Sequence, residues 1–255
     1  MKNAGICLLS AVPVRAEPSE RSEMTTQLLF GEHYSIIEQS GEWLHVESAI
    51  DHYQGWIAAN ANNFIPDDYQ FANYREIVRS PYIICAVDDK QLHIPGGSLL
   101  PDNYDMFSFS PAGKKYVVCG GMEQIQDADL VTRAIQYLGA PYLWGGKTIF
   151  GIDCSGLVQV VARMTGINLP RDASRQALTG NSADFNSARA NDLAFFANDS
   201  ENITHVGILC DATRIIHASG CVRIDAFDKQ GIYNETENKY THKLHSIRRL
   251  GTVQK

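Results

Sequence analysis

Gly151-Ile152-Asp153-Cys154-Ser155-Gly156-Leu157-Val158 is the stretch on which the reading of this chain turns. Leu157, Val158, Val161 and Met164 recur at helical spacing, so a helix is expected over 154–165. Asp153 stands where an N-cap belongs, and Gly166 stands where the helix would close. Cys154 then falls in the first turn, among unpaired N–H groups and at the positive end of the helix dipole. The thiolate is the nucleophilic form of cysteine, and such a position is expected to lower its pKa. Ser155 and Gly156 put little bulk beside the sulfur. Core packing is the other explanation of a lone cysteine at a helix start.

Downstream lie strand-like runs: Leu193-Ala194-Phe195-Phe196, His205-Val206-Gly207-Ile208-Leu209, Arg214-Ile215-Ile216-His217 and His245-Ser246-Ile247-Arg248. A short turn at Asp211-Ala212-Thr213 would pair the second with the third and bring His205 and His217 to one end of a sheet. A nucleophile, a base and a group to orient the base would then be available. Each histidine alone reads equally as a satisfied polar residue on a strand. Upstream, Ile125, Leu130, Ile135 and Leu138 suggest a helix over 124–138, stopped by Gly139 and Pro141. Helices followed by a run of strands give an α+β domain with an antiparallel sheet.

The first ~120 residues read differently. Tyr34-Ser35-Ile36-Ile37-Glu38, Trp43-Leu44-His45-Val46 and Gly55-Trp56-Ile57 are short strand signals, as are Ile83-Ile84-Cys85-Ala86-Val87 and Lys115-Tyr116-Val117-Val118. Ser40-Gly41-Glu42 and Asp88-Asp89 mark hairpin turns. Such spacing without a long helical pattern suggests two small β-barrels, joined by a linker at Phe64-Ile65-Pro66-Asp67-Asp68-Tyr69. The expected domains are 1–65, 70–120 and 122–255.

Hydrophobic residues at 44% and charged residues at 20% allow a real core, and a net charge of −7 leaves no electrostatic footprint for nucleic acid. Arg248-Arg249 reads as a solvated strand end. Six cysteines without a C-x-x-C pair do not resemble a zinc or redox site; Cys85, Cys119 and Cys210 lie in apolar runs and read as small buried hydrophobes. The first eleven residues have the ingredients of a signal peptide, but the apolar run is short and flows into the strand-like Val12-Pro13-Val14-Arg15. No stretch reaches the ~18 apolar residues of a membrane helix. A cytoplasmic, monomeric protein without membrane association is expected, with secretion or a periplasmic location left open.

The ordered blocks Tyr142-Leu143-Trp144-Gly145-Gly146, Gly151 to Val158, Leu169-Pro170-Arg171-Asp172, Asn191-Asp192-Leu193-Ala194-Phe195-Phe196, His205-Val206-Gly207-Ile208 and Ile216-His217-Ala218-Ser219 resemble those of the NlpC-type peptidases. These are papain-like enzymes acting on peptidoglycan stem peptides. Val12 to Pro18 and Ser22 to Glu32 are similar to the bacterial SH3-like domains of one subgroup, the γ-D-glutamyl–L-diamino acid endopeptidases. The resemblance implies a papain-like peptidase domain preceded by two SH3-like β-barrels, and it sets residues 1–12 inside the first barrel, against a cleaved signal peptide.

By that resemblance, Cys154 is the nucleophile, His205 the base, and His217 the group that orients His205. Tyr142 would offer its hydroxyl to an oxyanion beside the Cys154 N–H. Asp153, Ser155 and Trp144 would touch the substrate peptide, and Asp172 would meet the free amino end of an L-Ala-γ-D-Glu unit. Ala173 stands where a serine is expected, which puts one substrate hydrogen bond in doubt. Glu23 and Tyr53 are candidates to wall off the amino end, though they read equally as a surface carboxylate and a barrel aromatic; Tyr142 and Trp144 read equally as packing. The substrate expected is a murein peptide, cut in recycling, with diaminopimelate and lysine both open. No metal or other cofactor is implied. Three other readings compete: a secreted wall hydrolase anchored by its barrels, an inactive binding protein, and a lipid acyltransferase of related fold. The acidic chain, the intact Cys154, His205 and His217, and the absence of an apolar anchor stand against them in turn.

Overall fold

The computed structural model describes residues 4–65, 74–101, 108–109 and 114–251. The chain divides into two compact units: residues 1–126 with 144–149, and residues 127–143 with 150–255. The linker expected at 64–69 lies largely outside the described residues.

The first unit is built of short antiparallel strands. β1 (Ala4–Ile6), β2 (Ala11–Arg15), β3 (Met24–Leu29), β4 (His33–Ser40), β5 (Trp43–Ser48), β6 (Gln54–Ala58) and β7 (Asn63–Phe64) form one sheet in the order β3-β2-β6-β5-β4-β1-β7. Alternation decides its faces. Leu44 and Val46 of β5 point inward with Val12, Val14, Leu28, Tyr34 and Ile57. Gly55 allows β6 to cross β2: a Cβ there would stand 2.5 Å from Val14 Cγ1. Gly41, at φ +58°, turns the β4–β5 hairpin where the sequence marked it.

A second group of strands follows: β8 (Tyr74–Ile77), β9 (Tyr82–Val87), β10 (Lys90–Pro95), β11 (Leu99–Pro101), β12 (Ser108–Phe109) and β13 (Tyr116–Gly121). They pair as β10-β9-β13-β12 and β11-β8 around a separate core of Phe30, Val78, Ile83, Cys85, Ile94, Leu100 and Tyr116. Asp88, at φ 51°, makes the β9–β10 turn. Cys85 is buried as expected, but Cys119 is exposed and Cys210 half-buried. β13 buries only its first residue fully, so its later side chains do not enter the core.

The segment 144–149, with β14 (Lys147–Thr148), belongs to this first unit. Gly145, at φ +77°, backs onto the Met24 carbonyl, where a Cβ would come within 2.3 Å. Lys147 donates its backbone N–H to Gln27 and buries its ammonium 3.0 Å from Glu32.

The second unit contains α1 (Leu130–Ile135), β15 (Gly151–Ile152), α2 (Cys154–Met164), α3 (Ala173–Gln176) and β16 (Asn181–Ala183). β17 (Leu193–Ala197), β18 (Ile203–Leu209), β19 (Arg214–Ser219), β20 (Cys221–Phe227), β21 (Gly231–Asn234) and β22 (Lys239–Arg249) complete it. The sheet runs β16-β22-β17-β18-β19-β20-β21, and β22 also pairs with β21, so six strands close on themselves. Ala194, Phe196, Leu209, Ile215, Phe227, Ile232 and Ile247 pack together on one face. α2 ends as expected, with Thr165 as C-cap and Gly166 at φ +88°.

The helix expected over 124–138 is much shorter. Asp129 starts it by accepting from Thr132 N–H, and its buried residues are Leu130, Arg133 and Ala134. Ile125, Ile135 and Leu138 are exposed, so the apolar stripe that suggested a longer helix is not the buried face. Gly139 does take the left-handed conformation at its end. Arg249 is not a solvated strand end: it grips the buried Asp192 with two hydrogen bonds. Among the described residues no helix is long and apolar enough to cross a membrane.

Candidate active site

Asp153 closes the start of α2 by accepting from the Gly156 N–H at 2.7 Å. It also receives both guanidinium arms of Arg171, a pair almost fully buried. Arg171 donates to Ser155 Oγ at 2.7 Å as well, and Gln176 holds the Ser155 carbonyl at 3.0 Å. The two neighbours of Cys154, expected to touch substrate, thus have side chains committed to fixing the helix start.

Burial pushes the Cys154 thiol up to about 11, and the Asp153 carboxylate pushes the same way. Hydrogen bonds from the Val206 and Ser155 backbones, and the charge of Arg171, pull it down without prevailing. The lowered thiol pKa expected from the helix start is therefore reversed, because desolvation and an adjacent carboxylate outweigh the backbone hydrogen bonds and the Arg171 charge. The Val206 bond sets the sulfur against the residue that follows His205.

Strand register brings the histidines together. Gly207 of β18 lies opposite His217 of β19, and His205 is two residues along on the same face. A Cβ on Gly207 would come within 3.0 Å of His217 Cβ, so the glycine leaves room for that side chain. His205 Nε2 and His217 Nδ1 are 2.8 Å apart. His217 Nε2 lies 3.0 Å from Asp225 Oδ2, and Arg223 holds the other carboxylate oxygen from Nε and Nη2. His242 stacks on the His205 ring with centroids 4.0 Å apart.

Burial holds the His205 pKa well below the ordinary imidazole value, with His242 and His217 acting in the same direction. Burial likewise lowers His242 to about 4. The Cys154 and His205 shifts both favour the uncharged forms, a thiol and a neutral imidazole. Burial also lifts the Tyr142 phenol to about 12, helped by Cys154 and Asp153 and opposed by Arg171. That phenol keeps its proton and can donate it.

Cys154, His205, His217, Tyr142, Asp153 and Ser155 thus assemble within the second unit. Asp172 is half-buried at the N-cap of α3 and makes no capping bond there. In the first unit the Trp144 indole donates to Glu23 at 2.6 Å, although Trp144 is 57% exposed. Tyr53 is half-buried on the β5–β6 turn, where its backbone N–H meets Asp51. Asp225 and His242 escaped the sequence reading, since neither β20 nor the first half of β22 was expected. Arg223, Asp225 and Phe227 share a strand face, and the buried Phe227 was the one signal that this face turns inward.

An antiparallel sheet with few helices, and a cysteine starting the helix that follows a short strand, is the scaffold of the papain-like cysteine hydrolases. Residues 139–245 match the NlpC/P60 family, and residues 14–61 match the bacterial dipeptidyl-peptidase SH3 domain. The chain carries an NlpC/P60 cysteine-peptidase domain behind an SH3-like domain. It is 28% identical to a Bacillus subtilis protein named gamma-D-glutamyl-L-lysine dipeptidyl-peptidase, over 76% of this chain and 71% of that one. The Bacillus cereus protein of the same name is 25% identical over 77% and 68%. A crystal structure of an NlpC/P60 family protein from Bacillus cereus superposes with TM-score 0.81 at 21% identity, covering 96% of this chain and 99% of that one. That likeness establishes the fold.

Proposed function

We propose that the protein hydrolyses the γ-D-glutamyl–L-diamino acid bond of peptidoglycan stem peptides that carry a free N-terminal L-Ala. The observation that carries the chemistry is the His205–His217 pair at 2.8 Å, beside a cysteine that starts a buried helix. The names of the Bacillus relatives support the bond and, for the diamino acid, lysine.

Cys154 gives its thiol proton to His205 as the sulfur attacks the γ-glutamyl carbonyl. The developing oxyanion takes hydrogen bonds from the Cys154 N–H and the Tyr142 hydroxyl. The His205 imidazolium then protonates the leaving amine, and a thioester remains. Water, deprotonated by His205, hydrolyses the thioester and restores the thiol. Asp172 receives the free ammonium of L-Ala; a peptide without that charge leaves the carboxylate unpaired. A substrate defined by a free amino end is a released peptide, and we place the enzyme in cytoplasmic murein recycling, acting as a monomer. The block at 70–120 we take as a second SH3-like barrel.

The test compares L-Ala-γ-D-Glu-L-Lys and its diaminopimelate counterpart with their N-acetylated forms, with Cys154→Ala as control. Cleavage of the free-amine peptides alone, lost in the variant, is expected. Equal cleavage of acetylated peptides would remove the amino-end recognition, and no cleavage of any would leave a binding protein.

A further inference from the structure

We propose that Asp225 is a positioning residue whose carboxylate fixes the tautomers of two imidazoles in series, leaving the lone pair of His205 on Nδ1. The proposal rests on the reading of His205 as the base. An ionised carboxylate only accepts hydrogen bonds, and each neutral imidazole has one donor and one acceptor nitrogen. Asp225 Oδ2 lies 3.0 Å from His217 Nε2, so that nitrogen must carry the proton. His217 Nδ1 is then an acceptor, and His205 Nε2, 2.8 Å away, must donate to it. Only Nδ1 of His205 is left to take a proton from the thiol. When it does so, His205 becomes a donor at both nitrogens and no bond in the chain has to turn over.

Burial alone would push the Asp225 carboxyl up, but hydrogen bonds from His217 and Arg223, together with the Arg223 charge, bring it below its ordinary value. Four groups surround Asp225 or extend the line from it. Arg223 acts from β20 itself, His217 from β19, His205 from β18 and His242 from β22. His242 stacks on the His205 ring and meets His217 edge-on at 5.8 Å, so it confines the rings without joining the hydrogen-bonded line.

Arg223 makes the proposal testable in an unusual way. It donates twice to Asp225 Oδ1, at 2.7 and 3.1 Å, and arginine cannot accept. In Asp225→Asn, the amide oxygen is therefore held at Arg223, and the NH₂ group stands where Oδ2 stood. It donates to His217 Nε2, reverses both tautomers and points a proton from His205 at Cys154. Asp225→Ala only releases the chain. The isosteric Asn variant should accordingly be the more damaged of the two.

The experiment measures kcat and KM on the free-amine peptide, together with the rate at which iodoacetamide alkylates Cys154 between pH 5 and 9. The second readout needs no peptide substrate, so it separates failure of this proposal from failure of the proposed activity. Asp225→Asn should lose about 10²-fold in kcat with KM nearly unchanged, and its alkylation should slow in parallel. Asp225→Ala should lose less. Adding Arg223→Met to Asp225→Asn frees the amide to turn over, and the double variant should recover toward wild type. A purely structural Asp225 would give the opposite order, with Asn the milder change. Alkylation by Asp225→Asn as fast as wild type, or no gain from Arg223→Met, would overturn the proposal.

Discussion

The two halves of the candidate site are built in contrasting ways. Around Cys154 the backbone is set locally, since Asp153, Cys154, Ser155 and Gly156 are consecutive and the cap bond spans three residues, with Arg171 bracing it from 18 residues on. Around His205 it is wholly non-local, for the chain His205–His217–Asp225 runs across three strands and depends on their register. Both halves bury a carboxylate, yet to different ends. Asp153 is gripped by a guanidinium and fixes backbone, whereas Asp225 faces an imidazole and fixes protons. A helix start can hold a nucleophile in place on four residues of sequence; a base must be oriented by partners the strands bring from elsewhere.

The sharpest way to break the local half is Arg171→Met. Asp153 would be left as an uncompensated buried charge, which costs about 3–5 kcal/mol. Urea unfolding should show that loss. Alkylation of Cys154 should slow as well, because Arg171 is one of the groups that pull the thiol pKa down.

The non-local half is tested by Gly207→Ala. The new Cβ would meet Ile215 Cδ1 at 2.7 Å and His217 Cβ at 3.0 Å. Overpacking of this kind costs about 1–3 kcal/mol. Here kcat should fall by more than stability suggests, since His217 is displaced from His205. Equal kcat in the two proteins would show that the histidine pair tolerates a shift in register.

Asp129→Ala supplies a smaller control. Asp129 caps α1 as Asp153 caps α2, but it is exposed. Its loss should cost about 1 kcal/mol in urea and leave kcat unchanged.

Acid acts on the fold through buried and half-buried histidines of both units. The folded pKa values of His33, His205 and His242 lie below the ordinary imidazole value, His33 and His242 at about 4. The unfolded chain therefore binds more protons than the folded chain below about pH 6.5. Stability from these groups is complete above that pH and is lost as pH falls toward about 4. Asp225, whose folded pKa is depressed, adds a further loss within the carboxylate range. Thermal midpoints should decline from pH 7 to pH 5, while the acid limb of kcat/KM should lie below pH 6.5.

Much of this was legible in the chain. Helical spacing over 157–164 with Asp153 and Gly166 at its ends placed α2 almost to the residue. Turn chemistry at Gly41 and Asp88 placed two hairpins, and the run from Leu193 to His217 placed three of the sheet's strands. The pattern misled where burial ran against hydrophobicity. In β20, Ile224 is exposed and Asp225 buried, so an apolar-in, polar-out reading inverts the strand and hides the carboxylate. The exposed Ile135 and Leu138 similarly made α1 seem longer than it is.

The sequence by itself determined the nucleophile's platform, because capping, helix propensity and the dipole act over one or two turns. It also set His205 and His217 on paired strands, because a short turn and a period of two are local properties. Only the tertiary structure decided the protonation of the site. Whether a thiol is raised or lowered, and which nitrogen of an imidazole holds the proton, depends on what surrounds it in space. Those neighbours, Arg171, Asp225 and His242, reach the site only when the strands and the loop before α3 close around it.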